Sequence, residues 1–512
     1  MKIKNKLLLI SFILLVATFL RFWHLPERAI FLGDQGRDLL LIRESLLAGK
    51  IPLVGPPTSQ RINSGPAYFY LIIPPLLLTN FHPLGPIYFF TFFGVLSCFL
   101  IFRLCLNLFG LVPALISTLL YAISPLVVQR TLGFWNPVLV PFFTFLIFFS
   151  LYQIDKKLFF WFPLLGLFLG IAVQFHPSVY VIFFLVLGWW FYFIFQKKRE
   201  NNRKKILKWS ALGGFCFLIT LLPYLIFQFQ NDFTDLRKII FILLEKFLIN
   251  QPQGETGESF FNQFSNFFSQ QFQPLSLSNS LHFNFILGLI LVVFPFIFRK
   301  KRGIFWHVLF SIWLLSGLVI LSLYPGVVFP HYASFIWPLS FLILASFLKT
   351  LCDYFPRKAV LILGLFWVAI QTPKYFSNFS YTYDLKRTQE AIQVVTKEAK
   401  NQPFSLVLLS PHSPSDAHFQ YFLTLKGAPL KKINSSLAKF LFLICEVNCP
   451  HLKSLEDLKI VDSDCLPDCP PMEQQKIVDL KKWSFLRRTD FPWGAVYIYQ
   501  RPQNSQTKKN YR

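Results

Sequence analysis

Residues 31–71 read FLGDQGRDLLLIRESLLAGKIPLVGPPTSQRINSGPAYFYL. Four charges in this stretch, Asp34, Arg37, Asp38 and Arg61, stand between two apolar runs. A charge at the edge of a hydrocarbon layer is costly unless it has a partner or a task, so the stretch is the candidate centre of the protein and the apolar runs are its frame. Within it, 37–48 is apolar at Leu39, Leu40, Leu46 and Leu47 and polar at Arg37, Asp38, Arg43 and Glu44, with Gly49 as a stop. That pattern predicts a helix lying on a membrane surface. The next apolar piece, 66–78, carries Pro74-Pro75 and is short for a crossing, which predicts a second helix dipping into the outer leaflet.

The rest of the chain supports a membrane frame. Its 512 residues are 54% hydrophobic and 15% charged, with 64 Phe, too apolar for a soluble enzyme of that length. Apolar runs of about 17 to 25 residues recur between residues 7 and 376, each long enough to cross roughly 30 Å of hydrocarbon as a helix. The formal charge of +25 is gathered in short clusters between these runs, at 155–157, 197–205, 299–302 and 349–358, a pattern that marks topology rather than a nucleic-acid partner. Lys2, Lys4 and Lys6 precede the first run and no small-residue cleavage site follows it, which predicts an uncleaved anchor with a cytoplasmic N-terminus.

Placing every basic cluster on one side gives about eleven transmembrane helices. The first outer loop (26–85), the loop 129–137 and everything after residue 376 then lie outside. The expected fold is a polytopic α-helical membrane protein of the plasma membrane, residues 1–376, followed by a small extracytoplasmic α/β domain, 377–512, with a disordered tail. In that domain 384–400 reads as a helix, and 404–410, 439–445 and 495–500 as strands. Cys98, Cys105, Cys216 and Cys352 lie in or beside apolar runs, as small buried side chains do. Cys445, Cys449, Cys465 and Cys469 form CEVNC and CLPDC; zinc ligation is open to them, and an oxidising compartment favours two disulfides.

GDQGRD after the first span, GPPTS followed by SGPAYFY, RLCLNLFG at 103–110 and FWNP at 134–137 resemble the GT-C superfamily of polytopic glycosyltransferases. The likeness is to the branch of protein O-mannosyltransferases and lipid A aminoarabinose transferases, glycosyltransferase families 39 and 83. It implies an enzyme that moves a sugar, with inversion, from a polyprenyl-phosphate donor to a glycan, lipid or protein acceptor at the outer face of the membrane. It also implies a catalytic acid in the first outer loop, here Asp34. The chain departs from the pattern in three places. Asp34-Gln35 stands where the family often has Asp-Glu, Asn136 where a second acid can stand, and Ser64-Gly65 where a basic residue is frequent, which moves the phosphate role to Arg61.

The chemistry asks for the same groups. An attacking hydroxyl or amine must lose a proton, which a carboxylate can accept, and a departing phosphate needs positive charge beside it. Asp34 is the candidate base, with Asp38 a possible second carboxylate. Arg37, Arg61, Arg130 and His331 are the candidate cations, Arg61 foremost because a guanidinium can grip phosphate by two hydrogen bonds. Asn136 would orient substrate. No nucleotide, metal or other cofactor is expected, and the partners are the lipid-linked donor, membrane lipid and the acceptor.

Plainer readings stand beside these. Asp34 caps a helix. Arg37 and Asp38 form a solvated face. Arg61 meets a lipid headgroup. Asn136 shapes the start of a span. His176 and His331 are hydrogen-bonded interfacial histidines. The rival function, a transporter or flippase of polyprenyl-linked glycans, predicts charges near span centres and two halves of similar hydropathy. The mid-span positions are almost free of ionisable groups.

Overall fold

The structure, a computed structural model, describes residues 3–58, 62–244, 259–276, 278–298, 304–324, 328–377, 381–411, 413, 415–432, 435–447, 449, 460–461, 477–478 and 480–502. Arg61, Cys465, Cys469 and the tail from 503 lie outside them. In chain order the helices are α1 (Ile3–Phe22), α2 (Leu25–Arg28), α3 (Gly33–Leu47), α4 (Ala67–Leu78), α5 (Leu84–Phe109), α6 (Leu111–Ile123) and α7 (Pro125–Gln129). Then come α8 (Val140–Asp155), α9 (Trp161–Ala172), α10 (Tyr180–Phe195), α11 (Arg203–Gln230), α12 (Thr234–Leu244), α13 (Phe260–Phe272) and α14 (Leu281–Phe298). The series ends with α15 (Phe305–Ser322), α16 (Trp337–Tyr354), α17 (Arg357–Ser377), α18 (Asp384–Ala399) and α19 (Ala417–Leu425). The chain gathers into two compact units, Met1–Leu25 with Pro52–Thr58 and Ile62–Ser380, and Pro26–Ile51 with Ser59–Arg61 and Tyr381–Arg512.

The first unit is helical. Among the described residues six stretches are long and apolar enough to cross a membrane: Leu84–Phe109, Asn136–Asp155, Pro177–Phe195, Arg199–Gln230, Leu281–Phe298 and Phe305–Ser322. Ala67–Leu78, Leu111–Ile123 and Trp161–Ala172 are apolar but shorter. By this measure the layout of about eleven spans expected from the sequence stands at six. The RLCLNLFG segment is the end of α5 plus Gly110, whose φ of +91° turns the chain sharply into α6, a conformation open to glycine at little cost.

Close approach and aromatic packing hold the bundle. A Cβ on Gly166 of α9 would fall 1.9 Å from the carbonyl oxygen of Gly213 in α11, so the two backbones touch only because both positions are glycine. Trp313 of α15 and Tyr121 of α6 sit in the interior, 4.4 Å from Phe148 and 5.0 Å from Phe341 between ring centres. Arg21, wholly buried at the end of α1, donates through Nη1 to the carbonyl of Ala122, 3.0 Å away in the last turn of α6, where the helix dipole is negative.

The second unit is built on a four-stranded sheet of order β1-β2-β6-β5, with β1 (Phe404–Leu409), β2 (Phe440–Glu446), β5 (Ser484–Phe491) and β6 (Gly494–Gln500). β1 and β2 are parallel, in register Phe404 to Phe440, and β6 runs antiparallel to both β2 and β5. A separate two-stranded pair joins β3 (Ile460–Val461) to β4 (Ile477–Val478). Val407, Leu441, Leu443, Tyr497 and Tyr499 form the core on one face. Helix α18 and strands β1, β2 and β6 stand where the sequence placed a helix and three strands. Cys445 and Cys449 are joined in a disulfide at the end of β2.

Candidate active site

In the second unit, the DQGRD residues open α3. The helix begins at Gly33, so Leu32 is the cap position and Asp34 lies inside the first turn. The cap reading of Asp34 is therefore corrected: Gln35 does that work, its Oε1 accepting from the Leu32 N–H at 3.0 Å. Gln35 is almost wholly buried, which suits a neutral amide better than the glutamate of the family pattern.

Spacing on the helix brings the three charges together. Arg37 Nη1 donates to Asp34 Oδ1 at 2.8 Å, one turn away. Its Nε and Nη2 both donate to Asp38 Oδ1, at 3.0 and 2.7 Å. Asp38 is buried, whereas the Asp34 side chain is half exposed, with Oδ2 unengaged among the described residues. Arg37 thus fixes one oxygen of Asp34 and leaves the other open to take a proton.

The face of α3 that carries glycine lies against the C-terminal part of the chain. Gly33 N–H donates to Ser413 Oγ at 3.1 Å, and a Cβ on Gly36 would fall 2.2 Å from the backbone nitrogen of His418 in α19. Phe31 N–H donates to Asp384 Oδ2 at 3.2 Å, and the Phe31 ring packs edge-on to Phe422 at 5.7 Å. None of these partners was named from the sequence.

In the first unit, three of the expected binding residues share one neighbourhood. Arg130, after α7, lays its guanidinium 4.0 Å over the Trp337 ring and lines a pocket with Tyr121, Thr131, Gln271 and Phe341. Burial lowers its pKa to about 10, still cationic at neutral pH. No carboxylate lines this pocket among the described residues. Gln271, buried, has no hydrogen-bond partner for its Oε1 among the described residues. Asn136 donates through Nδ2 to the carbonyl of Phe175 at 2.6 Å, which ties the FWNP turn to the residues before His176.

His331 packs against Trp135 at 4.4 Å and His176 at 5.5 Å between ring centres. Burial lowers the pKa of His331 to about 4, and burial with the His331 charge beside it lowers that of His176 to about 3. Desolvation thus disfavours the charged form of the His331 ring. Arg61 lies outside the described residues. Nearby, Thr58 N–H donates to the Ile62 carbonyl at 2.8 Å, and Asn63 Nδ2 donates to the buried Asp235 at 3.2 Å. His176, Gln271 and Trp337 complete the neighbourhood; nothing in the sequence distinguished Gln271 and Trp337 from other polar and aromatic residues at helix ends.

The comparisons agree with the resemblance read from the sequence: one family model matches part of the chain, and the fold is similar to solved membrane glycosyltransferases. Residues 63–227 match the family model of dolichyl-phosphate-mannose-protein mannosyltransferases. The fold is similar to ArnT from Cupriavidus metallidurans bound to undecaprenyl phosphate, with a TM-score of 0.57 at 13% identity over 98% of this chain and 100% of that one. The apo form of that protein matches with a TM-score of 0.55 at 12% identity, over 98% of this chain and 99% of that one. The Archaeoglobus fulgidus oligosaccharyltransferase, in complex with Zn and sulfate, matches with a TM-score of 0.51 at 13% identity, over 85% of this chain and 68% of that one. No curated protein matches the chain in sequence.

Proposed function

We propose that this chain is an inverting glycosyltransferase that takes a sugar from a polyprenyl-phosphate donor and passes it to a glycan, lipid or protein acceptor at the outer face of the membrane. The observation that carries the reading is the Arg130 pocket. A desolvated guanidinium stacked on Trp337, without a carboxylate among the described lining residues, suits a phosphate borne on a hydrocarbon chain. The likeness to a protein bound to undecaprenyl phosphate supports the same donor class.

In the proposed reaction the acceptor oxygen or nitrogen attacks the anomeric carbon, its proton passes to Asp34 Oδ2, and the bond from that carbon to the phosphate oxygen breaks. The electron pair leaves with the polyprenyl phosphate, a developing anion that calls for a cation such as a guanidinium. Arg37 orients Asp34, and Asp38 holds Arg37. The arrangement of basic clusters supports a cytoplasmic N-terminus with the first loop and C-terminal domain outside, and the Cys445–Cys449 disulfide suits an oxidising compartment.

The test is transfer from radiolabelled mannosyl undecaprenyl phosphate, with other undecaprenyl-phosphate sugars in parallel, in membranes holding wild type or Asp34→Asn at matched levels. Loss of a general base should lower turnover by roughly a hundredfold or more. Equal turnover by both removes Asp34 as the base.

A further inference from the structure

The helix that bears Asp34 is seated on residues some 380 positions later in the chain. Gly33 N–H donates to Ser413 Oγ at 3.1 Å, and that hydroxyl donates in turn to the Ser415 carbonyl at 2.7 Å. The Ser413 N–H donates to Ser410 Oγ at 3.2 Å, and Ser410 Oγ donates to Glu446 Oε2 at 2.6 Å. Glu446 is the last residue of β2, next to Cys445 of the disulfide. A continuous line of hydrogen bonds therefore runs from the first turn of α3 to the second strand of the sheet.

The glycines of GDQGRD fit the same surface. At Gly36 an added Cβ would meet His418 N at 2.2 Å, His418 Cα at 2.3 Å and the carbonyl carbon of Ala417 at 2.4 Å. These are backbone atoms and cannot swing aside. At Gly33 it would meet Ser415 Cβ at 2.6 Å and Ser415 O at 2.7 Å. Just before the helix, Tyr383 N–H donates to the Glu27 carbonyl at 2.8 Å and Thr382 Oγ1 to the Ala29 carbonyl at 3.1 Å. The glycine spacing that marks the motif is the imprint of a C-terminal partner surface, while Asp34, turned well away from Gly36 around the helix, keeps an open oxygen.

We propose that Ser413 and the Ala417–His418 backbone are positioning groups for sugar transfer, setting the first turn of α3 so that Asp34 presents its open oxygen to the acceptor. This rests on the reading of Asp34 as the base. Because reaction rates fall steeply when a catalytic group is displaced by about an ångström, such groups act on turnover more than on donor binding.

The experiment uses full-length protein in lipid nanodiscs, with radiolabelled mannosyl undecaprenyl phosphate for turnover and donor KM, and undecaprenyl phosphate alone for equilibrium binding. Ser413→Ala should lower kcat roughly tenfold, and Gly36→Ala roughly a hundredfold, with donor KM and undecaprenyl phosphate affinity within about twofold of wild type. Ser413→Thr, which keeps the hydroxyl, should recover most of the turnover. If Ser413→Ala keeps wild-type kcat, or if both variants lose lipid binding in proportion to turnover, the positioning role is overturned. Wild-type turnover by Asp34→Asn would instead remove the base itself, and with it this inference, whatever the Ser413 variants do.

Discussion

Arg130 carries the electrostatic side of the proposal, and its surroundings make the effect of losing it specific. The guanidinium is desolvated, stacked on Trp337 and unopposed by a carboxylate among the described pocket residues. A charge-assisted hydrogen bond of this kind is worth about 2 kcal/mol, so Arg130→Ala should raise donor KM roughly thirtyfold. Arg130→Lys keeps the charge but loses the planar fork and much of the stacking, and should fall between the two. Steady-state kinetics over a range of donor concentrations checks both, and an unchanged KM for Arg130→Ala would dissociate the pocket from the donor. Asp34, Arg37 and Asp38 were legible in the sequence because charges beside apolar runs are rare, but their shared ion pair was not, since the expected helix began at Arg37 and the observed one begins at Gly33. The role of Gln35 was not, since the start of a helix is fixed only by its hydrogen bonds.

At the scale of elements, α9 and α11 make a close contact in the first unit, glycine backbone on glycine backbone. Gly166→Leu should force them apart and destabilise the protein by about 1 to 3 kcal/mol, seen as a lower midpoint of thermal unfolding in detergent. A midpoint unchanged from wild type would mean that this contact is absent in the membrane. Apolar runs made the helices of the frame readable, and β1, β2 and β6 were readable because their residues are apolar and β-prone. Strand β5, Ser484–Phe491, escaped because it is an edge strand with mostly exposed side chains, SFLRRTDF, and no buried face to impose alternation. Helix α19 escaped for a different reason: its docking against α3 depends on residues hundreds of positions apart, which no local pattern records.

For the molecule as a whole, the second unit buries His418, where burial lowers the pKa to about 3, and in the first unit desolvation lowers the partly exposed His176 to about 3 and His331 to about 4. A histidine whose folded pKa lies below its unfolded value of about 6.5 contributes stability that is complete above that value and is lost as pH falls toward the folded pKa. Unfolding midpoints should therefore drop between about pH 6.5 and pH 4, and His418→Gln should flatten the part of that drop owed to the second unit. A profile identical to wild type would take His418 out of the acid response. Topology is testable on the same scale: a reporter joined after Tyr375 should respond as an external site, and a cytoplasmic signal would break the proposed orientation.

The second unit draws its pieces from Pro26–Ile51 and from Tyr381 onward, with most of the helical frame encoded between them. At synthesis rates of about 5 to 20 residues per second, α3 waits roughly 20 to 80 seconds after its own translation before Ser413 and His418 exist to receive it. A nascent chain halted before that point would hold the helices up to Ser377 yet lack the groups that seat α3. If Asp34 is the proposed base, competence comes only after the chain has grown past His418.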